Sequence, residues 1–212
     1  DNVHTASSTF ETGLMANDEN DAIWNGAQWI GTDDDDQFLY SQYLPVFSIG
    51  CSVTLDKQHH STKASILYGG NDERLLDSYL NIMGIKNKID STYIRVELDA
   101  SRVENGELAH LNIFRKGYGD KEIGEKQIWS VEIPDGIVNN DNVFGTHRIE
   151  LSSNLGDTNI KIDGKHLGRA NLNPLGQGGD FIAFPVLGEV GVYLEKGQKA
   201  RFSDFVISNY RS

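Results

Sequence analysis

Apolar and polar residues alternate along much of this chain, and this pattern leaves few folds open to it. The clearest case runs from residue 47 to residue 55, where apolar side chains at odd positions alternate with small or hydroxylated residues. Successive side chains of a β-strand point to opposite faces, so the pattern predicts a strand with one buried face. Similar alternation marks residues 94–98, 111–114, 129–133, 147–151 and 160–162. Residues 181–184, 189–194 and 200–210 are rich in β-branched and aromatic types, which also favour strands.

Turn residues separate these segments. Asn105-Gly106 predicts a hairpin or short loop, and Asp163-Gly164 is a candidate type I′ turn. Further breaks rich in Gly or Asn lie at 69–72, 139–142 and 176–180. About a dozen short strands at this spacing indicate an antiparallel β-sandwich, an all-β fold.

One segment allows two interpretations. Residues 71–80 fit a short helix with Asn71 as N-cap and leucines on one face. The alternative is a loop at 69–73 followed by a strand through 75–83. We favour the strand because Gly84 follows directly and the surrounding sequence is rich in β-forming residues.

Length and composition limit the number of domains and the classes of partner. The 212 residues suit one all-β domain, which we place at 24–212 behind a polar lead-in segment at 1–23. A net charge of −12 argues against nucleic acid as a partner. No apolar run approaches the ~20 residues of a membrane-spanning helix. The single cysteine, Cys51, excludes a disulfide framework and is expected to be a small buried apolar residue.

Several segments, in order, resemble one family. They are Ala-Gln-Trp-Ile-Gly at 27–31, Ile-Leu-Tyr-Gly-Gly-Asn-Asp at 66–72, the strand at 147–151 with the Asp-Gly hairpin at 159–164, and residues 200–207. Together they resemble the concanavalin A-like, laminin-G-like β-sandwich (jelly roll) found ahead of the catalytic domain in bacterial α-L-rhamnosidases of glycoside hydrolase family 78. In that resemblance, residues 66–72 correspond to a loop and residues 200–207 to the closing strand. The resemblance implies an accessory sandwich, with catalysis in a separate helical barrel.

Glycosidase chemistry on a sandwich requires carboxylates at a defined spacing. Some sandwiches of this type are β-glucanases that carry Glu-x-Asp-x-x-Glu on one strand, which aims the carboxylates into one cleft. That motif is absent here; residues 189–195 lack its central Asp, and Glu122 and Glu125 lie in a segment rich in Gly and Lys. No catalytic residue is therefore assigned, and whether the chain is an enzyme stays open.

A binding surface is better supported by the alternation. It places Tyr93, Arg95 and Glu97 on the outward face of one strand, and His110, Asn112 and Phe114 on the outward face of the next. Aromatic rings can stack on the apolar face of a sugar while polar groups hold its hydroxyls. We therefore take Tyr93, Arg95, Asn112 and Phe114 as candidate carbohydrate-binding residues. The alternative is that this face is covered, or that the aromatic pair only stabilises the sheet.

Metal ligands are weakly indicated. The acidic run at 33–36 could offer Asp33 with Asp35, or Asp34 with Asp36, to Ca²⁺. Consecutive Asp residues point apart, so a solvated acidic loop is the default. His59-His60 lies in a polar stretch that predicts an exposed turn. We therefore expect no cofactor, with Ca²⁺ at Asp33 and Asp35 as the alternative.

These observations predict an accessory, non-catalytic sandwich domain of a bacterial glycoside hydrolase, resembling an α-L-rhamnosidase. Its expected partners are the catalytic and other domains of the same polypeptide and a plant or host glycan, in the periplasm or outside the cell. The alternative is an independent, lectin-like carbohydrate-binding module. A third hypothesis is a sandwich glycosidase whose carboxylates the sequence does not reveal.

Overall fold

The computed structural model describes residues 10–11, 44–72, 92–118, 124–173 and 184–208. This part of the chain is built from β-strands and a short 3-10 turn at Val103–Asn105. The strands are β1 (Phe10–Glu11), β2 (Val46–Leu55), β3 (Lys63–Gly70), β4 (Tyr93–Asp99), β5 (Ala109–Lys116), β6 (Lys126–Ile133), β7 (Thr146–Asn154), β8 (Asp157–Ile162), β9 (Lys165–Asn171), β10 (Glu189–Tyr193) and β11 (Ala200–Ser208). Within these residues, no helix has the length and apolar character needed to cross a bilayer.

The strands form two antiparallel sheets that pack face to face. A six-stranded sheet has the order β1-β11-β2-β7-β8-β9, and a five-stranded sheet has the order β10-β3-β4-β5-β6. Three consecutive strands, β4, β5 and β6, are neighbours in the five-stranded sheet, whereas β10 returns from late in the chain to pair with β3. The predicted antiparallel sandwich is therefore confirmed.

The core forms where the apolar faces of both sheets meet. On β2 every odd residue from Phe47 to Leu55 is buried, as the alternation predicts. From the other sheet, Ile94, Val96 and Leu98 of β4 and their neighbours on β5 are fully buried against them. Burying a large aliphatic side chain stabilises a fold by roughly 1.5–3 kcal/mol, so this layer is the main source of stability.

Two polar or reactive side chains, Cys51 and His147, lie on the inward face of their strands and are buried, as predicted for Cys51. Burial raises the pKa of the Cys51 thiol to about 12, which leaves it unreactive. His147 is 3% exposed, and its Nδ1 lies 2.8 Å from Asp163 Oδ2. Its Nε2 lies 3.0 Å from the carbonyl oxygen of Asn142. Both ring nitrogens have partners, so His147 ties the start of β7 to the β8–β9 turn.

The turns predicted at 105–106 and 163–164 are confirmed, whereas the predicted break at 176–180 lies outside the described residues. Asp163 and Gly164 both have positive φ, at 49° and 72°, as a type I′ turn requires. Asn105 ends the 3-10 turn between β4 and β5, and Gly106 follows with φ of 79°. These turns join sequence neighbours, which explains why local sequence is sufficient to predict them.

Residues 66–72 are expected to form a loop, but most of them form part of a strand. Residues up to Gly70 belong to β3, which lies between β10 and β4 in its sheet. Strand β9 is not predicted by the sequence, because its residues are mostly exposed and show little alternation. The helix or strand considered within 71–83 lies outside the described residues from position 73 onward. Residues 181–183 also lie outside them, as does the lead-in except for β1.

Trp129 packs between the two sheets at one edge of the sandwich. This side chain is on β6, the edge of the five-stranded sheet, and it packs over Gly168 on β9, the edge of the other sheet. A Cβ atom at Gly168 would lie 2.8 Å from Trp129 Cζ2, closer than real Cβ atoms approach. Glycine is therefore required at this position by the indole, not by its backbone conformation.

Replacing this glycine tests the packing of the edge. We expect Gly168→Ala to lower the free energy of unfolding by about 1–3 kcal/mol, since the methyl group must displace a rigid ring. Gly136→Ala is the matched control, because a Cβ there meets no atom within 4 Å. Urea denaturation measures both variants, and equal stabilities would contradict the assigned contact.

The β7–β8 hairpin contains a conformationally strained leucine. Leu155 has φ of 52°, and the following Gly156 has φ of 83°. The left-handed conformation costs an ordinary residue about 1–2 kcal/mol, whereas Asn adopts it more readily. Leu155 is also 37% exposed, so little burial offsets this strain.

Relieving that strain is expected to stabilise the protein. Leu155→Asn should raise the free energy of unfolding by about 0.5–1 kcal/mol, because Asn tolerates positive φ. Leu155→Ala keeps the unfavourable conformation and should bring no such gain. Thermal unfolding of the two variants beside the unmodified protein measures the difference, and a lower midpoint for the Asn variant would show the interpretation to be wrong.

Candidate functional site

The outer face of the five-stranded sheet carries an array of polar and aromatic side chains. The strand register places Arg95 of β4 opposite Phe114 of β5, and Glu97 opposite Asn112. Asn112 in turn lies opposite Ser130 of β6. Directly opposed residues in an antiparallel pair have Cβ atoms about 4.5–5.5 Å apart, so these side chains can interact.

Arg95 is the centre of this array and is only 4% exposed. Its Nε and Nη2 donate to the two carboxylate oxygens of Glu125, at 2.8 and 2.6 Å. Its Nη1 donates to Glu97 Oε2 at 2.5 Å and to Ser65 Oγ at 3.1 Å. A guanidinium has five N–H groups, so these bonds use most of its donor capacity inside the protein.

Aromatic rings surround the same guanidinium. Its Cζ lies 3.9 Å from the ring centre of Phe114 and 5.0 Å from that of Tyr193 on β10. Tyr93 donates its hydroxyl to Glu125 Oε2 at 2.9 Å. All three aromatic residues are half-buried, so part of each stays accessible to solvent. Cations near aromatic faces gain about 0.5–2 kcal/mol, which helps to hold Arg95 in place.

Glu97 and Asn112 extend the array across the sheet. Glu97 is 1% exposed, and its Oε1 accepts a hydrogen bond from Asn112 Nδ2 at 3.2 Å. Ser130 Oγ donates to Asn112 Oδ1 at 2.7 Å. The amide is therefore held at both ends, next to solvent-exposed Ser130. We refer to Tyr93, Arg95, Glu97, Asn112, Phe114 and Glu125 as the outer-face cluster.

The ion pairs set the charge states of the cluster. Burial alone would raise the pKa of the Glu125 carboxyl, but the hydrogen bonds and charge of Arg95 outweigh it and lower that pKa. Burial, and then the neighbouring Glu125 charge, raises the pKa of the Tyr93 hydroxyl above its usual range. At neutral pH Glu125 is thus a carboxylate and Tyr93 a neutral hydrogen-bond donor.

The structure brings the four candidate sugar-binding residues together on one face. Tyr93 and Phe114 are half-buried, whereas Arg95 and Asn112 are buried and held by neighbours. Alternation correctly assigns them to the outward face, but it gives no indication that Arg95 is enclosed. That these residues bind a sugar stays a prediction.

Sequence reasoning misses two members of this environment. Glu125 precedes β6 and reaches Arg95 from 30 positions away. Tyr193 belongs to β10, which joins this sheet only through its pairing with β3. Each is a single residue without a local motif, so only the folded arrangement identifies them.

The remaining candidates lie elsewhere. The acidic run at 33–36, with Asp33 and Asp35, falls outside the described residues. In the part of the chain that the structure describes, no three His, Cys, Asp or Glu residues are grouped to hold a metal ion. His59 and His60 lie in an exposed turn, as predicted, and His59 contacts Asp56 and Lys199.

Solved structures share this fold at low sequence identity. A Bacillus subtilis protein of unknown function with a galectin-like fold matches with a TM-score of 0.52 and 13% identity, over 79% of this chain and 73% of that chain. The carbohydrate-binding module CBM66 from Bacillus subtilis gives a TM-score of 0.49 and 11% identity, over 77% and 75% of the two chains. Caenorhabditis elegans galectin LEC-6 gives 0.41 and 9%, over 78% and 85%.

The likeness to the protein with a galectin-like fold supports the fold and no more. No protein-family model and no curated relative matches the sequence. The described chain is an all-β, antiparallel jelly-roll sandwich, which confirms the predicted fold class, and the solved structure that it matches is galectin-like.

The buried ion pair of the cluster makes a testable contribution to stability. Arg95→Met leaves Glu97 buried without its cation, and we expect a loss of about 3–5 kcal/mol in the free energy of unfolding. The double variant Arg95→Met with Glu97→Met should recover much of that loss, because no unpaired charge remains. Arg102→Met is the control, since its pair with Glu107 is 65% and 55% exposed and should contribute about 1 kcal/mol or less. A loss for Arg95→Met as small as that of the control, measured by urea denaturation, would contradict the stabilising role assigned to the ion pair.

Proposed function

We propose that this protein is a carbohydrate-binding, lectin-like module and that the outer-face cluster is its sugar-binding surface. The observation that carries the proposal is the meeting of half-buried Tyr93 and Phe114 rings with fixed polar groups on the outer face of the five-stranded sheet. Sugar recognition requires this combination of an apolar stacking surface and oriented hydrogen-bond partners.

The polar groups are already oriented before any ligand arrives. Asn112 is held by Glu97 and Ser130, so its amide loses little conformational freedom on binding. Gln127, exposed on β6 opposite Phe114, adds a further amide at the rim. Sugar hydroxyls both donate and accept hydrogen bonds, which matches a surface that offers amides, hydroxyls and carboxylate oxygens.

The galectin-like fold fits an independent lectin-like module better than a rhamnosidase accessory domain. The accessory role, with the catalytic and other domains of the same polypeptide as partners, stays a narrower proposal. It rests on the resemblance to family 78 and would gain support if rhamnose-bearing plant or host glycans were among the ligands. Glycan binding also fits a periplasmic or secreted location.

Hydrolysis by this chain has less support. A glycosidase acid needs a carboxyl group whose pKa is raised so that it holds a proton near neutral pH. In the outer-face cluster the opposite holds for Glu125, because Arg95 lowers the pKa of its carboxyl group. Binding therefore suits the cluster better than general acid catalysis.

A binding experiment tests the proposal. The purified protein is screened on a broad glycan array that includes rhamnosides and β-glucans, and hits are measured by calorimetry. Phe114→Ala and Asn112→Ala should each weaken binding about tenfold or more, since each removes a stacking surface or an oriented amide worth about 1–2 kcal/mol.

The matched control is Asn159→Ala, an exposed asparagine on β8 of the other sheet. It should bind as the unmodified protein does. Binding that survives Phe114→Ala and Asn112→Ala but is lost on changes to the other sheet would show that the site lies on the opposite face. Complete absence of glycan binding by the folded protein would overturn the proposed function.

A further inference from the structure

The contact between Arg95 and Glu125 has the form of ligand recognition. Two parallel N–H groups of the guanidinium meet the two oxygens of one carboxylate, at 2.8 and 2.6 Å. This fork-to-fork arrangement is how arginine binds the carboxylate or phosphate of an acidic ligand. We call the Nε–H and Nη2–H groups of Arg95 its fork. In this protein the carboxylate of Glu125 occupies the fork.

We propose that Glu125 is a specificity-determining residue that restricts the outer-face cluster to uncharged saccharides. By filling the fork of Arg95, it withholds from acidic sugars the cation that would otherwise pair with them. The inference rests on the proposed function, since it assigns the ligand class of the same surface.

The charge around Arg95 supports this restriction. One guanidinium faces two carboxylates, because Glu97 Oε2 accepts from Nη1 while Glu125 accepts from Nε and Nη2. An incoming uronate placed against this guanidinium would therefore meet two side-chain carboxyl groups that already occupy it. Two lysines lie nearby: Lys116 Nζ is 5.7 Å from the ring centre of Tyr93, and Lys63 Nζ pairs with Asp99 at 3.4 Å. Like charges placed together at an interface are strongly unfavourable, so such a site discriminates by repulsion.

An external acid would also have to displace an internal one. Glu125 is covalently attached, so its effective concentration at the fork exceeds that of a free ligand. Tyr93 holds the same carboxylate through Oε2, and the Glu125 side chain is only 27% exposed. A uronate would need to break both contacts, which neutral sugars can leave in place.

Removing the negative charge of Glu125 should make the fork of Arg95 available to an added anion. Glu125→Gln keeps the size of the side chain but replaces one acceptor oxygen with an amide that cannot accept from the guanidinium. Arg95 would then retain Glu97 as its partner and could pair with an added anion. Glu125→Ala empties the fork entirely and is the second variant if the amide change disturbs folding.

Selectivity is measured with matched sugar pairs. Each neutral oligosaccharide bound by the protein is compared with its uronic acid counterpart, in which a carboxylate replaces the primary alcohol. The unmodified protein should bind the neutral member at least about tenfold more tightly than the acidic one. Glu125→Gln should lower this ratio of affinities about tenfold, so that the preference is lost or reversed. Glu107→Gln is the control, because that residue pairs with exposed Arg102 away from the cluster and should leave the preference unchanged.

A second measurement does not depend on sugar binding. The Nε–H signal of Arg95 is followed by nuclear magnetic resonance while inorganic phosphate is added. It should stay fixed in the unmodified protein and shift saturably in Glu125→Gln or Glu125→Ala. Saturable phosphate binding at Arg95 in the unmodified protein would overturn the inference, as would an unmoved signal in both variants.

The two proposals fail in different ways. If the folded protein binds no glycan, the proposed function fails while the phosphate titration still decides whether Glu125 blocks Arg95. If glycans bind but acidic members bind as well as neutral ones, or Glu125→Gln keeps the original preference, the function stands and the role of Glu125 is wrong.

Discussion

Two sheets pack through one shared apolar layer, and the other features of this molecule follow from that packing. Each strand must turn one face inward, so residues such as Ile94, Val96 and Leu98 fix where their neighbours point. The intervening positions of β4 are then displayed on the outer face at a defined spacing. The core thus creates the outer-face cluster indirectly, by setting the register that brings β4 and β5 residues opposite each other.

Within that face, a buried charge network fixes the positions of the polar side chains. Arg95 and Glu97 are almost completely enclosed, and enclosed ions are tolerated only when they are paired and hydrogen-bonded. Glu125 and Ser65 complete this pairing for the guanidinium. The consequence is a face that combines rigid polar groups with partly accessible aromatic rings, and a buried guanidinium whose donors already have partners. This arrangement is the basis of our proposal that the face binds neutral sugars in preference to acidic ones.

Several details of the fold show how tertiary contacts override local preference. Leu155 occupies a left-handed turn position that its type disfavours, because the β7–β8 hairpin geometry requires it. Glycine is required at position 168 because the indole of Trp129 packs there from the opposite sheet. No local sequence pattern indicates this contact. Strand β9 is not predicted for a similar reason. Its own residues alternate little, and it is a strand because it pairs with β8.

Local sequence is enough to predict the fold class, most strand positions, the turn at Asp163-Gly164 and the outward placement of Tyr93, Arg95, Asn112 and Phe114. These follow from two-residue periodicity and turn chemistry, which act over a few neighbouring residues. The enclosure of Arg95, the filling of its fork by Glu125 and the ring contact of Tyr193 emerge only in the folded chain. Those contacts join residues far apart in the chain, and their formation depends on strand order and register, which no short stretch of sequence encodes.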